Sequence, residues 1–146
     1  MVNIELLSYK INELNMRNAL KSNRGVHLIN RNDFQMEFID NSRAAAVLTE
    51  FVRMQEGDEF YLELAVEGIF HLDDIKNTES WKEMHIRCYD KLFPYAKQIM
   101  EMLAANSGLS GFVLRKKHIK EGDVHVRLEK EGKCNSKIIE LPMFLK

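Results

Sequence analysis

Apolar positions recur at every second residue over several stretches of the first half of the chain, and at every third or fourth over one stretch of the second half. Residues 3–16 alternate but change phase. Tyr9 and Ile11 keep one face, and Leu14 and Met16 continue it one residue late, so a bulge near Asn12 and Glu13 is predicted. Residues 17–31 are polar and basic, with a turn signal at Asn23-Arg24-Gly25, and read as a solvated loop. Phe34, Met36 and Phe38 alternate with Gln35 and Glu37, the pattern of a half-buried strand, and Asp40-Asn41-Ser42 is turn chemistry. In residues 43–55, Val47, Thr49 and Phe51 share one face and Ala46, Leu48 and Val52 the other. The three alanines admit a helix, but the β-branched and aromatic residues, closed by Glu56-Gly57-Asp58, favour a strand. A fourth strand covers residues 58–70. Phe60, Leu62, Leu64 and Val66 point one way, while Tyr61, Glu63, Ala65 and Glu67 point the other.

After a polar connection with Thr78 and Ser80 as cap candidates, residues 81–105 carry one apolar stripe. Trp81, Met84 or His85, Cys88, Leu92, Tyr95 or Ala96, Ile99 and Leu103 recur at helical spacing. Pro94 lies far past the first turn, removes a backbone hydrogen bond, and must kink or interrupt the helix. Asn106-Ser107-Gly108 ends it. Residues 111–146 are harder to pattern. Val124, Val126 and Leu128 alternate, Glu131-Gly132 can turn, and residues 138–145 are apolar again, which reads as a loop followed by an irregular or hairpin segment. The fold class expected is therefore α+β, a four-stranded antiparallel sheet followed by one long kinked helix.

Widths then matter. Four strands at about 4.8 Å spacing make a sheet nearly twice as wide as one helix of about 10–12 Å diameter. One helix leaves part of a sheet face uncovered, and a partner subunit, the C-terminal segment or a ligand must cover the rest.

A length of 146 residues fits one domain, and 45% apolar with 29% charged residues is an ordinary soluble composition. The net charge of −1 gives no electrostatic case for nucleic acid, and the basic loop lacks the glycines and aromatics of a phosphate or base site. No apolar run reaches a membrane span, and residues 2–16 do not form a secretory signal, so a cytoplasmic location without membrane insertion is expected. The two cysteines, Cys88 and Cys134, fit a reducing compartment.

Little catalytic chemistry is in view. His85 and Cys88 lie one helical turn apart and form half a zinc site, which Cys134, His118 or His125 would have to complete without any paired spacing. Both also lie on the apolar stripe, where they pack as core. Glu63 and Glu67 share a face but are two positions removed, a solvated or partner-facing patch rather than an acid–base pair. Met100 and Met102 read as helix packing, with an adaptable binding surface as the other reading. No nucleophile motif or phosphate-cradling glycine loop occurs. No enzyme activity, cofactor or metal is expected.

Glu67-Gly68-Ile69-Phe70 at a strand end, then Cys88, then Leu92-Phe93-Pro94-Tyr95-Ala96 inside a helix, resembles the SecB family of export chaperones. That family follows its Leu-Phe-Pro-Tyr-Ala with arginine, where this chain has Lys97. The resemblance covers about residues 3–114 and leaves 115–146 as a divergent segment of a single domain, 1–146. It lacks the family's prolines after the helix, its second helix and its acidic tail. The resemblance implies an ATP-independent holdase that binds unfolded polypeptides, including preproteins, in an apolar groove. It also implies dimers paired through sheet edges and tetramers packed through helices. By position it assigns Phe60, Leu62, Leu64 and Val66 to the client groove and Glu63 to contact with the SecA motor. Leu92, Phe93, Pro94 and Tyr95 go to the helix motif and oligomer packing. Two alternatives stay open: a SecB-like chaperone dedicated to one partner such as an antitoxin, and a structural or adaptor subunit with a filled groove. The tail, 141–145, is also a candidate pseudo-client for a groove in the same or a neighbouring subunit.

Overall fold

In the computed structural model, residues 3–21, 26–73, 78–109, 111–127, 133–139 and 143–145 are described. The elements in order are β1 (Ile4–Asn18), β2 (Val26–Phe38), β3 (Arg43–Met54), β4 (Phe60–Leu72), α1 (Thr78–Asn106), a short 3-10 turn (Glu121–Asp123), β5 (His125–Arg127), β6 (Lys133–Ile139) and β7 (Met143–Leu145). They form one antiparallel sheet in the order β1-β4-β3-β2-β6-β5, with β7 also pairing β2. The four predicted strands are its main part, and the C-terminal segment adds to it.

The phase change in β1 is a bulge at Asn12, between Ile11↔Val66 and Glu13↔Ala65. A second register shift, between Leu6 and Ser8, has no counterpart in the sequence reading. Residues 43–54 are strand rather than helix. At the turn before them, Asp40 accepts from the Ser42 backbone N–H at 2.9 Å and from Arg43 Nε at 2.9 Å. These bonds lower the Asp40 pKa. The 17–31 loop is corrected. β1 runs on to Asn18 and β2 starts at Val26, with Val26, Leu28, Phe34 and Met36 all buried on one face. The turn triplet Asn23-Arg24-Gly25 lies outside the described residues, as do the side chains of Thr78 and Ser80 and the Glu131-Gly132 turn.

One sheet face is apolar and covered. Leu28, Phe34 and Met36 of β2, Ala44, Ala46, Leu48 and Val52 of β3, and the even-numbered residues of β4 are buried there. α1 crosses this face obliquely. Trp81 packs on Phe38 of β2 with ring centroids 4.9 Å apart, and Tyr95 reaches Tyr9 of β1 at 4.4 Å. The helix passes through Pro94 without interruption, and Pro94 sits on its exposed side. At its C-terminal end the Asn18 amide of β1 donates to the Ser107 carbonyl at 2.8 Å.

The chain then returns in an extended course over the sheet area that α1 leaves bare. Phe112, Leu114, Lys117, Ile119 and Val124 are buried along it. Because this segment joins no ladder among the described residues, side chains meet part of its backbone. Glu101 accepts from the Leu114 N–H at 2.9 Å, Lys97 Nζ donates to the Leu114 carbonyl at 3.0 Å, and the Tyr89 hydroxyl accepts from the Lys117 N–H at 2.9 Å. The C-terminal segment is thus one of the covers that the width argument requires.

Candidate functional site

The four β4 residues assigned to the client groove are closed off in the folded chain. Phe60, Leu62, Leu64 and Val66 are each 0% exposed, on the face that α1 and the return segment cover. Alternation put them correctly on one face, but that face is the core of the folded chain, so in this state none of the four offers area to another molecule. An acidic substitution at Leu62 or Leu64 would test folding rather than binding.

The two motifs meet at one point. A Cβ built on Gly68 would stand 3.0 Å from Leu6 Cδ1, 3.0 Å from Leu92 Cδ1 and 3.2 Å from Phe70 Cε2. Gly68 is therefore the place where α1 closes on β4, and the leucine that fills the space is the first residue of the helix motif. Within that motif Leu92 and Phe93 are buried, while Tyr95 is 36% exposed and stacks on Tyr9. Lys97 also contacts Glu101, so the pair that binds both sides of the Leu114 peptide is itself paired.

Surface apolar area concentrates beside β1. Of the eight large hydrophobic residues exposed among the described residues, four lie in this strand: Leu7, Tyr9, Ile11 and Leu14, at 43–50%. Tyr95 and Met102, seven apart and so on one helix face, are two more. By register Tyr9, Ile11 and Leu14 oppose Gly68, Val66 and Leu64, which puts them on the helix side of the sheet. Among the described residues β1 is the end strand of the sheet, so an apolar seam runs along a backbone edge that no described strand pairs.

The outward face is mixed, with Val47, Phe51, Tyr61 and Ile69 partly buried among charged residues. Glu63 accepts from the Asn15 amide at 3.1 Å and borders a shallow depression with Arg31, Phe51 and Lys137. Glu67 pairs with Lys10 at 3.5 Å. Both acids are partly accessible there, and neither approaches the apolar seam.

One buried polar cluster escaped the sequence reading, and a second joins His85 to Cys134, which that reading weighed as distant zinc ligands. In the first, Glu50 accepts from Asn30 at 3.2 Å and from Asn32 at 2.8 Å, and Lys117 donates to Asn30 Oδ1. All four residues are at most 3% exposed. The signal was in the phase, since Asn30 and Asn32 fall in step with Leu28, Phe34 and Met36, and Glu50 with Leu48 and Val52. In the second cluster, His85 sits edge-on to Phe34 with centroids 4.8 Å apart. Its Nδ1 lies 3.0 Å from Cys134 Sγ and its Nε2 2.9 Å from Ser136 Oγ. Burial pushes His85 down to about 4 and Cys134 up to about 12, and raises Cys88 as well. The imidazole is therefore neutral, donating through one nitrogen and accepting through the other, and the thiols are protonated at neutral pH. Cys134 is the partner of His85 in packing. Among the described residues no three His, Cys, Asp or Glu side chains converge as metal ligands.

No helix of the described residues is long and apolar enough to cross a membrane. The family model described as preprotein translocase subunit SecB matches residues 29–120, more than half of the chain. No curated protein sequence matches. Among solved structures, the chain is similar to the Mycobacterium tuberculosis Rv1957 SecB-like chaperone, in complex with a ChAD peptide from the Rv1956 HigA1 antitoxin. The TM-score is 0.59 at 13% identity, covering 78% of this chain and 90% of that one.

Proposed function

Because the chain belongs to the SecB family, we propose that this chaperone holds non-native polypeptide segments extended against its sheet–helix unit, without ATP and without enzymatic chemistry. The observation that carries this reading is the apolar seam of Tyr9, Ile11, Leu14, Tyr95 and Met102. It keeps wettable apolar area on a folded chain that has already buried a complete core. Part of that seam faces a second copy, since β1 also offers an open backbone edge, and a homodimer or homotetramer is the assembly that covers it. Phe60, Leu62, Leu64 and Val66 then act as the floor that fixes α1, and reach a client when the helix or the return segment lifts. Glu63, on the outward face away from the seam, stays open to a motor such as SecA while clients are held.

A second reading, a chaperone of one dedicated partner, draws support from the antitoxin peptide held by the similar mycobacterial protein. Light scattering with several unrelated unfolded proteins, in the absence of ATP, separates the two. Suppressed aggregation of most of them at near-stoichiometric amounts is expected of the general holdase. Suppression of one alone would move the assignment to a dedicated partner, and suppression of none would end the general reading.

A further inference from the structure

The β2 edge of the sheet is closed by strands from beyond residue 120, outside the part of the chain that matches the family. β6 lies antiparallel to β2 over seven positions, from Arg31↔Ile139 to Glu37↔Lys133. β7 continues along the same strand from Val26↔Leu145 to Leu28↔Met143. β6 has only three inward positions. Cys134, opposite Met36, and Ser136, opposite Phe34, each touch one ring nitrogen of His85, and Ile138 stands opposite Asn32. The inward row of β4, by contrast, is Phe60, Leu62, Leu64, Val66, Phe70 and Leu72.

At about 25 cal/mol per Å² of apolar area, a cysteine, a serine and one isoleucine hold a strand less firmly than the six large side chains of the β4 row. The outward ion pair Lys133–Glu37, at 3.7 Å, is solvent-exposed and adds little. On its far side β6 is backed by β5, which is three residues long. The seven-position main-chain ladder is therefore a large share of what attaches β6. Any extended polypeptide can supply that ladder, whatever its sequence.

We propose that the β2 edge is a peptide site for an extended segment of a non-native polypeptide, and that β6 is its occupant in cis. A client segment enters as an antiparallel strand when β6 departs. Its alternate apolar side chains take the inward positions of Cys134 and Ser136 beside Met36, Phe34 and His85. The client is recognised by extended backbone and alternating apolarity, with no fixed sequence. The proposal rests on the chaperone reading and names the surface that serves it.

A reversible lock tests it in the full chain. Gln35 and Asn135 are directly opposite in the ladder. Such pairs stand about 4.5–5.5 Å apart at Cα, within the reach of a disulfide. The Gln35→Cys/Asn135→Cys variant is titrated, oxidised and reduced, against a fluorescent, reduced and carboxymethylated protein that stays permanently unfolded. At least tenfold weaker binding of the oxidised form is expected, with full recovery on reduction. Binding within twofold in both redox states would overturn strand exchange and leave the holdase reading standing. If neither wild type nor the reduced variant binds the probe, both readings fall. Hydrogen exchange on the wild-type protein gives a second readout. Amides of residues 133–139 should exchange at least tenfold faster with saturating probe while β3 and β4 stay protected. Undiminished protection of β6 would also overturn the proposal.

Discussion

Gly68 marks how closely the helix approaches the sheet. With Leu6 and Leu92 both 3.0 Å from where its Cβ would be, Gly68→Ala forces one of these side chains, or α1 itself, to shift. Overpacking of this kind costs about 1–3 kcal/mol, and a lower urea midpoint at unchanged m-value is the expected signature. His85 leads to a pH prediction. It is held neutral with its pKa lowered from 6.5 to about 4. Above pH 6.5 the folded and unfolded states carry the same charge there. Between 6.5 and 4 only the unfolded state takes up the proton, so stability falls as pH falls through this window, by about 3 kcal/mol in all at 1.36 kcal/mol per unit. Urea unfolding from pH 7 to pH 4 checks this. The slope should flatten in His85→Gln, and equal slopes in variant and wild type would remove His85 as its source.

Among the elements, those with uninterrupted local patterns were legible in the sequence. β3, β4 and α1 could be read from their own residues, as could the Asn12 bulge, because Tyr9 and Ile11 visibly lose step with Leu14. The start of β2 was not legible. Asn30 and Asn32 occupy inward positions and look like loop residues until Glu50 and Lys117, far away in sequence, provide their hydrogen-bond partners. β6 was harder still. Lys133-Cys134-Asn135-Ser136-Lys137 carries almost no apolar alternation, and its place is set by the free edge of β2 rather than by its own composition. For β4 the alternation separated two faces but could not say which one the helix covers, and the groove assignment of Leu62 and Leu64 depended on that.

The whole molecule is a sheet with unlike ends. One end, β1, combines a free backbone edge with Tyr9, Ile11 and Leu14, and the other has been extended by the C-terminal strands. The proposed self-association would use the first end. Sedimentation at micromolar concentration should show a dimer or tetramer for the wild type and a monomer for Tyr9→Asp/Ile11→Asp. Both positions are about half exposed in the single chain, so the variant is expected to keep its fold. An unchanged sedimentation coefficient would remove β1 from the assembly.

The two register shifts in β1, at Leu7 and Asn12, bear on how far such association can run. A smooth edge of this length would accept copy after copy, because every added strand would present the same template again. An edge broken at two points has no such periodicity. A mate related by a two-fold axis meets each irregularity with its own counterpart, and the union uses up both edges at once. In the proposed assembly, the slip that spoils the alternation of β1 would act as a stop against fibril growth, ending association at a closed pair.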